Sequence, residues 1–347
     1  MAHMDIFKQK GFGMVELTAA VQNVPFLPTY LGSLNLFDSR PVRTKSVSIE
    51  SKDGKLSVIQ SSERGAPLQQ AESGKRTLRS FDTVRIAKGA TIMADTIEGI
   101  RAFGTESELQ SVQNEVADKL NGATGLLSEI ALTHENMRLG AIQGVVYDAD
   151  GTVIINWFEE FGISQPAEIN FALTTGSSAD QPAVIRQKCN QVVRAVQKGA
   201  AGGWVPGRTY VMALCGDGFF DKLTTHPEVR QTYLNQQAAS ELRGDVGRAF
   251  SAFTYGDITF VNYRGSDDGK VGIGSEKCQF FPVGLPGGFQ MAYSPAEFLP
   301  FVNTPGLPVY ALVVLDKDRQ AWVKPEAYSY PLPICTRPAM LQRAKAA

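Results

Sequence analysis

The chain has 347 residues and a mass of 37.6 kDa, enough for about two domains and a sizeable buried core. Its 34 Lys+Arg against 35 Asp+Glu leave a net charge of −1, which excludes a polybasic nucleic-acid binder and an acidic disordered tail. The 33 Gly and 18 Pro point to many turns, hence a strand-rich chain with long loops. No apolar run approaches the roughly 20 residues that span a bilayer, so no membrane partner is expected. The opening Met1-Ala2-His3-Met4-Asp5 lacks the charged and apolar regions of a secretory leader. Cys189, Cys215, Cys278 and Cys335 lie tens of residues apart, with neither zinc-ligand nor disulfide-framework spacing, so four free thiols are expected.

Residues 1–42 read as an arm with little core of its own. Phe12 to Val24 has room for one short helix or strand, and Pro25 and Pro28 then force extended backbone. Residues 43–92 read as a long two-stranded excursion. Val47 and Ile49 alternate, Asp53-Gly54 supplies a tight turn, and Leu56, Val58 and Ile59 alternate again. The polar run Leu68–Arg79 is expected to be an exposed loop tip, after which Phe81, Val84, Ile86, Ile92 and Met93 return to the core.

Residues 93–165 contain the clearest helix. Thr105 and Glu108 make a capping box, and Glu106 and Glu108 suit the positive end of the helix dipole. Apolar residues from Leu109 to Leu132 approximate a 3.6-residue stripe. One helix running to Leu139 would be about 50 Å long, and Gly122 and Gly125 are positioned to bend or split it. Such a helix suits a strut better than a compact catalytic core. Val145–Tyr147 and Thr152–Trp157 flank an Asp148–Gly151 turn, a second hairpin lacking the further ligands of a calcium loop.

Residues 166–300 alternate helices and strands, which argues for a mixed α/β unit. Val184–Val196 is an amphipathic helix, Tyr210–Cys215 a buried strand, Phe219–Leu242 helical with a break at His226-Pro227, and Ile258–Tyr263 a further strand. In 301–347 a last hairpin turns at Asp316-Lys317-Asp318, and the chain returns through Pro331, Pro333 and Pro338.

Catalytic chemistry finds little support. His3, His134 and His226 share no metal-ligand spacing, so His134 is read as a helix-face residue and His226 as part of a turn. Gly265–Lys270 is one residue short of a phosphate loop, and Val271 stands where a Ser or Thr would hold magnesium, so a surface turn is expected. Asp217 and Asp221 could pair as carboxylates, but Asp217 between two glycines reads as a turn former and helix cap. No catalytic residue, cofactor or metal is assigned. The basic cluster Lys75, Arg76, Arg79, Arg85 and Lys88 is the one local charge bias. It is read as a solvated hairpin face or a contact with an acidic neighbour, and third as a nucleic-acid contact.

Strings along nearly the whole chain resemble the major capsid protein E family of lambda-like tailed phages. At the front these are Val15–Ala20, Val24–Pro28, Leu34–Phe37 and Arg64–Pro67. Ile100–Gly104, Arg138–Ala141 and Gly144 flank the strut, and Leu214-Cys215, Phe219–Asp221, His226–Val229 and Tyr263–Gly265 follow. Tyr293–Phe298, Asn303–Gly306 and, above all, Pro331–Pro338 complete the order. The resemblance implies an α+β coat fold of the Hong Kong phage type. It has an N-terminal arm (1–42), an extended hairpin or E-loop (43–92), a peripheral domain with a spine helix (93–165), an axial domain (166–300) and a C-terminal return to the peripheral domain (301–347). It further implies a non-enzymatic major capsid protein whose copies form pentamers and hexamers of an icosahedral head enclosing double-stranded DNA. Scaffold, portal and decoration proteins would be its partners. It would be a virion protein assembled in the bacterial cytoplasm. Lys75, Arg76 and Arg79 are expected to face Glu106 and Glu108 of an adjacent copy. The alternative readings are an α/β hydrolase or transferase, with a pocket around Asp217–Asp221, and a ring-forming tail-tube component.

Overall fold

The structure, a computed structural model, describes residues 26–52, 76–97, 111–173, 184–234 and 252–347. A single helical turn, α1 (Tyr30–Ser33), precedes β1 (Asp38–Pro41) and the antiparallel pair β2 (Ser46–Lys52) and β3 (Arg76–Asp82). Next come β4 (Ile86–Gly89), β5 (Ile92–Met93) and the short α2 (Ala94–Ile97). The partner of β2 is therefore β3, in register from Ser46↔Asp82 to Lys52↔Arg76. The tight hairpin expected at Asp53-Gly54 lies outside the described residues, and Arg76–Arg79, expected in a loop tip, are strand.

The strut is two helices, α3 (Val112–Asn121) and α4 (Leu126–Gln143), not one from Thr105 to Leu139. The expected capping box lies outside the described residues. The cap seen is Ser111, whose side chain accepts from the Asn114 N–H at 3.2 Å. The break follows from Gly122, which leaves helical geometry at ψ 162° with its N–H still bonded to the Asp118 carbonyl. A Cβ there would lie 2.3 Å from that carbonyl oxygen. The 18 residues of α4 span about 27 Å. It ends at Gly144, whose φ of +85° and contact with the Phe158 ring both demand glycine.

β6 (Val145–Tyr147) and β7 (Val153–Asn156) form the expected hairpin around Asp148–Gly151. Trp157 is not strand: it opens the one-turn α5 (Trp157–Glu160), with Asn156 capping the Phe158 N–H. There follow β8 (Ile169–Asn170), α6 (Val184–Ala200), β9 (Tyr210–Cys215), α7 (Asp217–Thr225) and α8 (Pro227–Leu234). The cap of α7 is Gly216, so Asp217 is its first residue rather than its cap. Pro227 starts α8 because it forbids α7 from continuing through His226. The last strands are β10 (Ala252–Tyr255), β11 (Ile258–Asn262), β12 (Lys277–Val283), β13 (Phe289–Tyr293), β14 (Tyr310–Leu315), β15 (Trp322–Ser329), β16 (Pro331–Cys335) and β17 (Gln342–Lys345).

Among the described residues, β10-β11-β9-β12-β17-β8 form a mixed six-stranded sheet, with β11–β9 and β17–β8 parallel. Its middle strand β9 shows why a continuous apolar run fits here. Val211, Ala213 and Cys215 point into one core with Ile185, Val192 and Val196 of α6 and Phe219 of α7. Met212 and Leu214 point into a second core with Met137 and Ile142 of α4 and Trp157. Period-2 alternation thus fills both faces of one strand. A three-stranded sheet β1-β13-β16 and a sheet β14-β15-β4, with β5 also on β15, complete the body. All four cysteines are free and buried.

Candidate assembly surfaces

The arm from Phe26 to Val42 is held by its own chain, against the expectation that the arm lacks support there. Leu31 is 1% exposed in the α4 core. The N–H groups of Leu31 and Gly32 donate to the Glu135 carboxylate on α4 at 2.7 and 3.1 Å. Tyr263 Oη donates to the same group at 3.5 Å, and Arg138 lies 3.6 Å from it. Glu135 is wholly buried. Burial raises its pKa, and the two N–H groups, Arg138 and Tyr263 oppose that rise. Upstream, the Phe26 N–H donates to Asp267 at 3.0 Å and the Arg264 guanidinium stands 4.3 Å over the Phe26 ring. Downstream, β1 runs parallel to β13, and Phe37 packs on Phe289.

The β2–β3 hairpin is bonded to no other described strand. Its two faces differ as strand alternation requires. Val47↔Phe81 and Ile49↔Arg79 face the body. Phe81 meets Trp157 edge-on at 5.2 Å, and the Arg79 guanidinium lies 5.6 Å from the centroid of the Phe161 ring. The other face carries Ser48↔Ser80 and Glu50↔Leu78, and Leu78 is 69% exposed.

Of the five residues expected at an inter-subunit contact, Lys75, Glu106 and Glu108 lie outside the described residues. Arg76 opens β3, opposite Lys52. Arg79 engages Phe161 of its own chain. The rest of the basic cluster is paired internally: Arg85 with Glu297 at 2.8 Å and Lys88 with Glu129 at 2.6 Å.

The residues weighed for catalysis have structural surroundings. His134 is buried, shares a 2.8 Å hydrogen bond with Ser329, and is pushed down to about 4 by burial and then by Arg138. It lies on a buried face of α4. His226 is buried too, and its Nδ1 accepts the Glu228 N–H at 3.3 Å. Asp217 and Asp221 sit one turn apart on the exposed side of α7. In the Gly265–Lys270 turn the Asp268 carboxylate takes the Lys270 N–H at 3.1 Å, and the Ser266 hydroxyl takes that of Val271 at 3.0 Å. Those amides are thus occupied by the turn's own side chains. No group of three or more His, Cys, Asp or Glu among the described residues could hold a metal ion. No helix among the described residues is long and apolar enough to cross a membrane.

A groove of about 380 Å³ runs along α4, between the β6–β7 hairpin and the Asp268–Gly272 turn. Sequence reasoning missed the Glu135 latch. No local pattern pointed to it, because the acceptor and its amides lie more than a hundred residues apart.

The sequence model described as phage major capsid protein E matches residues 13–346. The chain is 27% identical over 365 aligned positions to the major capsid protein of Salmonella phage Felix O1, covering 96% of each. It is also 27% identical over 329 positions to that of Pseudomonas phage KPP10, covering 89% of this chain and 90% of that one. In three dimensions it resembles the mature capsid subunit of bacteriophage PhiM1, with a TM-score of 0.53 at 10% identity, covering 94% of this chain and 90% of that one. The fold is the α+β coat fold of the Hong Kong phage type, and the alternatives of hydrolase, transferase or tail tube find no support. With the match spanning all but the ends of the sequence, the chain belongs to the phage major capsid protein E family.

Proposed function

We propose that copies of this phage capsid protein assemble into pentamers and hexamers that close into an icosahedral head around double-stranded DNA. The observation that carries this reading is the β2–β3 hairpin. It is a two-stranded sheet with its inner face rooted in the body and its outer face uncovered among the described residues. Isolated two-stranded sheets are marginal, so such a hairpin gains most from lying on a neighbour. Many weak contacts then act together in a closed lattice.

In this reading the six-stranded sheet with α6–α8 serves as the axial domain (166–300). Residues 93–165 serve as the peripheral domain and 301–347 as the C-terminal return to it, with only the last strand, β17, lying in the six-stranded sheet. Residues 1–42 are the arm and 43–92 the E-loop. The protein performs no catalysis and takes no cofactor. Genome retention is by enclosure, which a net charge of −1 suits better than a strongly basic wall would. Scaffold, portal and decoration proteins act with it in the host cytoplasm before the head becomes part of the virion.

Lys75, Arg76 and Arg79 face Glu106 and Glu108 of an adjacent copy. Each such exposed pair contributes about 0.2–1 kcal/mol, so the effect is cumulative. Electron microscopy of the purified protein tests the main reading. Closed shells, capsomers or sheets support it, stacked rings indicate a tube, and discrete small particles with turnover indicate an enzyme. Reversing the charge of Lys75, Arg76 and Arg79 tests the contact, and normal shells from that variant would remove it.

A further inference from the structure

β14 is the end strand of its sheet, with β15 on one side and no described strand on the other. Its phase against β15 can be worked out. Val313 stands opposite Pro325, whose carbonyl accepts the Ala90 N–H at 3.0 Å on the far side of β15. A strand residue points its N–H and C=O to the same side, so Val313 and Pro325 are a non-hydrogen-bonded pair. Three residues on, the Asp316 N–H donates to Trp322 O, which sets the same phase. Alternation therefore turns the backbone groups of Ala311, Val313 and Leu315 away from β15, and no described residue bonds to them.

The side chains on this edge are uncovered as well. Val313, Val314 and Leu315 are 49%, 40% and 60% exposed, and Leu299 in the preceding segment is 90% exposed. Edge strands are ordinarily guarded by charge, proline or a bulge. The sequence Tyr-Ala-Leu-Val-Val-Leu has no charge and no proline, and it pairs with β15 without a bulge.

We propose that β14 pairs antiparallel with β14 of a second copy across a two-fold axis at Val313, joining two sheets into one. Val313 then faces its twin, and Ala311 of each copy faces Leu315 of the other. In this register every outward N–H and C=O of Ala311, Val313 and Leu315 finds a partner. Sliding by two residues sends one end of the pairing beyond the strand. A second copy fits because an isologous contact must be self-complementary, and an uncharged strand brings no like charges together when it meets itself. The inference rests on the shell-forming reading, since so short a ladder holds only when the lattice supplies many such contacts.

Cross-linking tests it. In a hydrogen-bonded antiparallel pair the Cα atoms lie about 5.5 Å apart, within disulfide reach. The four native thiols are buried. Shells of Val313→Cys treated with diamide should run as covalent dimers on a non-reducing gel, and Val314→Cys shells should give at least tenfold less. Val313→Pro should cut shell yield at least tenfold, whereas Val313→Thr should not. Normal Val313→Cys shells without dimers, equal cross-linking at Val314→Cys, or a link to a different polypeptide would each overturn the pairing. If the parent chain forms no shells, the shell reading falls by itself. Val313→Cys dimers in its soluble oligomers would then still uphold the strand pairing, and their absence there would overturn it.

Discussion

β9 and β14 have nearly the same composition and opposite surroundings. Tyr210–Cys215 is the middle of a six-stranded sheet, and five of its six residues are buried. Tyr310–Leu315 is a sheet edge, and only Tyr310 is buried. Hydropathy cannot separate them, because each is a tyrosine followed by five apolar residues. The separation comes from the neighbours. α6 and α7 cover β9 on one face and α4 covers it on the other, whereas β14 has β15 on one side and nothing described on the other. An apolar strand that its own chain leaves uncovered is a place where a second molecule gains by docking.

One substitution made in both strands breaks or sharpens that contrast. Leu214→Asp places an unpaired carboxylate between β9 and α4 and should cost more than about 5 kcal/mol, enough to abolish folding. Leu315→Asp should change the unfolding free energy of the unassembled chain by less than about 0.5 kcal/mol, and shell yield should still fall. Urea denaturation of soluble chain and particle counts from micrographs read the two effects separately. Comparable destabilisation by both would show that β14 is covered by its own chain.

The arm root is the intermediate case, an exposed-looking segment made interior by one carboxylate. Glu135→Ala leaves the buried Leu31 amide without an acceptor and removes the partner of Arg138. The expected cost is about 3–5 kcal/mol. Hydrogen exchange at the Leu31 and Gly32 amides should accelerate far more than at β9. One residue earlier, His134 makes stability depend on pH. The folded ring stays neutral down to about pH 4, while the unfolded ring takes its proton near 6.5. Its contribution is whole above pH 6.5 and is lost as pH falls toward 4, roughly 3 kcal/mol in all. The raised Glu135 carboxyl acts with the opposite sign, adding stability as pH falls, so wild type must be compared with His134→Asn. Thermal melts from pH 7.5 to 4 should show a steeper decline in wild type, and parallel curves would remove the assignment.

Much of this was legible in the residues, for local reasons. The β6–β7 turn, the α6 stripe, β9, the Pro227 break and the last hairpin are set by patterns within a few residues. The strut was legible in its periodicity but not in its continuity, because Gly122 leaves helical geometry and divides it. Long-range choices were not legible. Nothing near Val47 says that its partner is Phe81 rather than a residue just past Asp53-Gly54. Nothing near Leu31 says that Glu135, more than a hundred residues on, will take its amide. The proposed assembly surfaces were half legible. The charges on the hairpin stood out, but three of those five basic residues are engaged within their own chain, and the uncharged edge at β14 gives no charge signal at all.

The smallest expected effect lies at the hairpin root, where body and appendage meet. Arg79 faces inward between Ile49 on β2 and Phe161 beyond α5, with its guanidinium over the Phe161 ring. A partly exposed cation–π contact contributes about 0.5–1 kcal/mol, so Arg79→Gln should lower stability by no more than that. Arg79→Lys should retain part of it. Phe81→Ala, one pair along, removes the edge-on contact with Trp157 and should cost about 3 kcal/mol or more. Tryptophan fluorescence of the unassembled chain reads the difference, since Trp157 should gain solvent access with Phe81→Ala and barely respond to Arg79→Gln. A large response to Arg79→Gln would mean that the charge, not the apolar pair beside it, holds the hairpin to the body. The basic cluster would then act within the subunit rather than between copies.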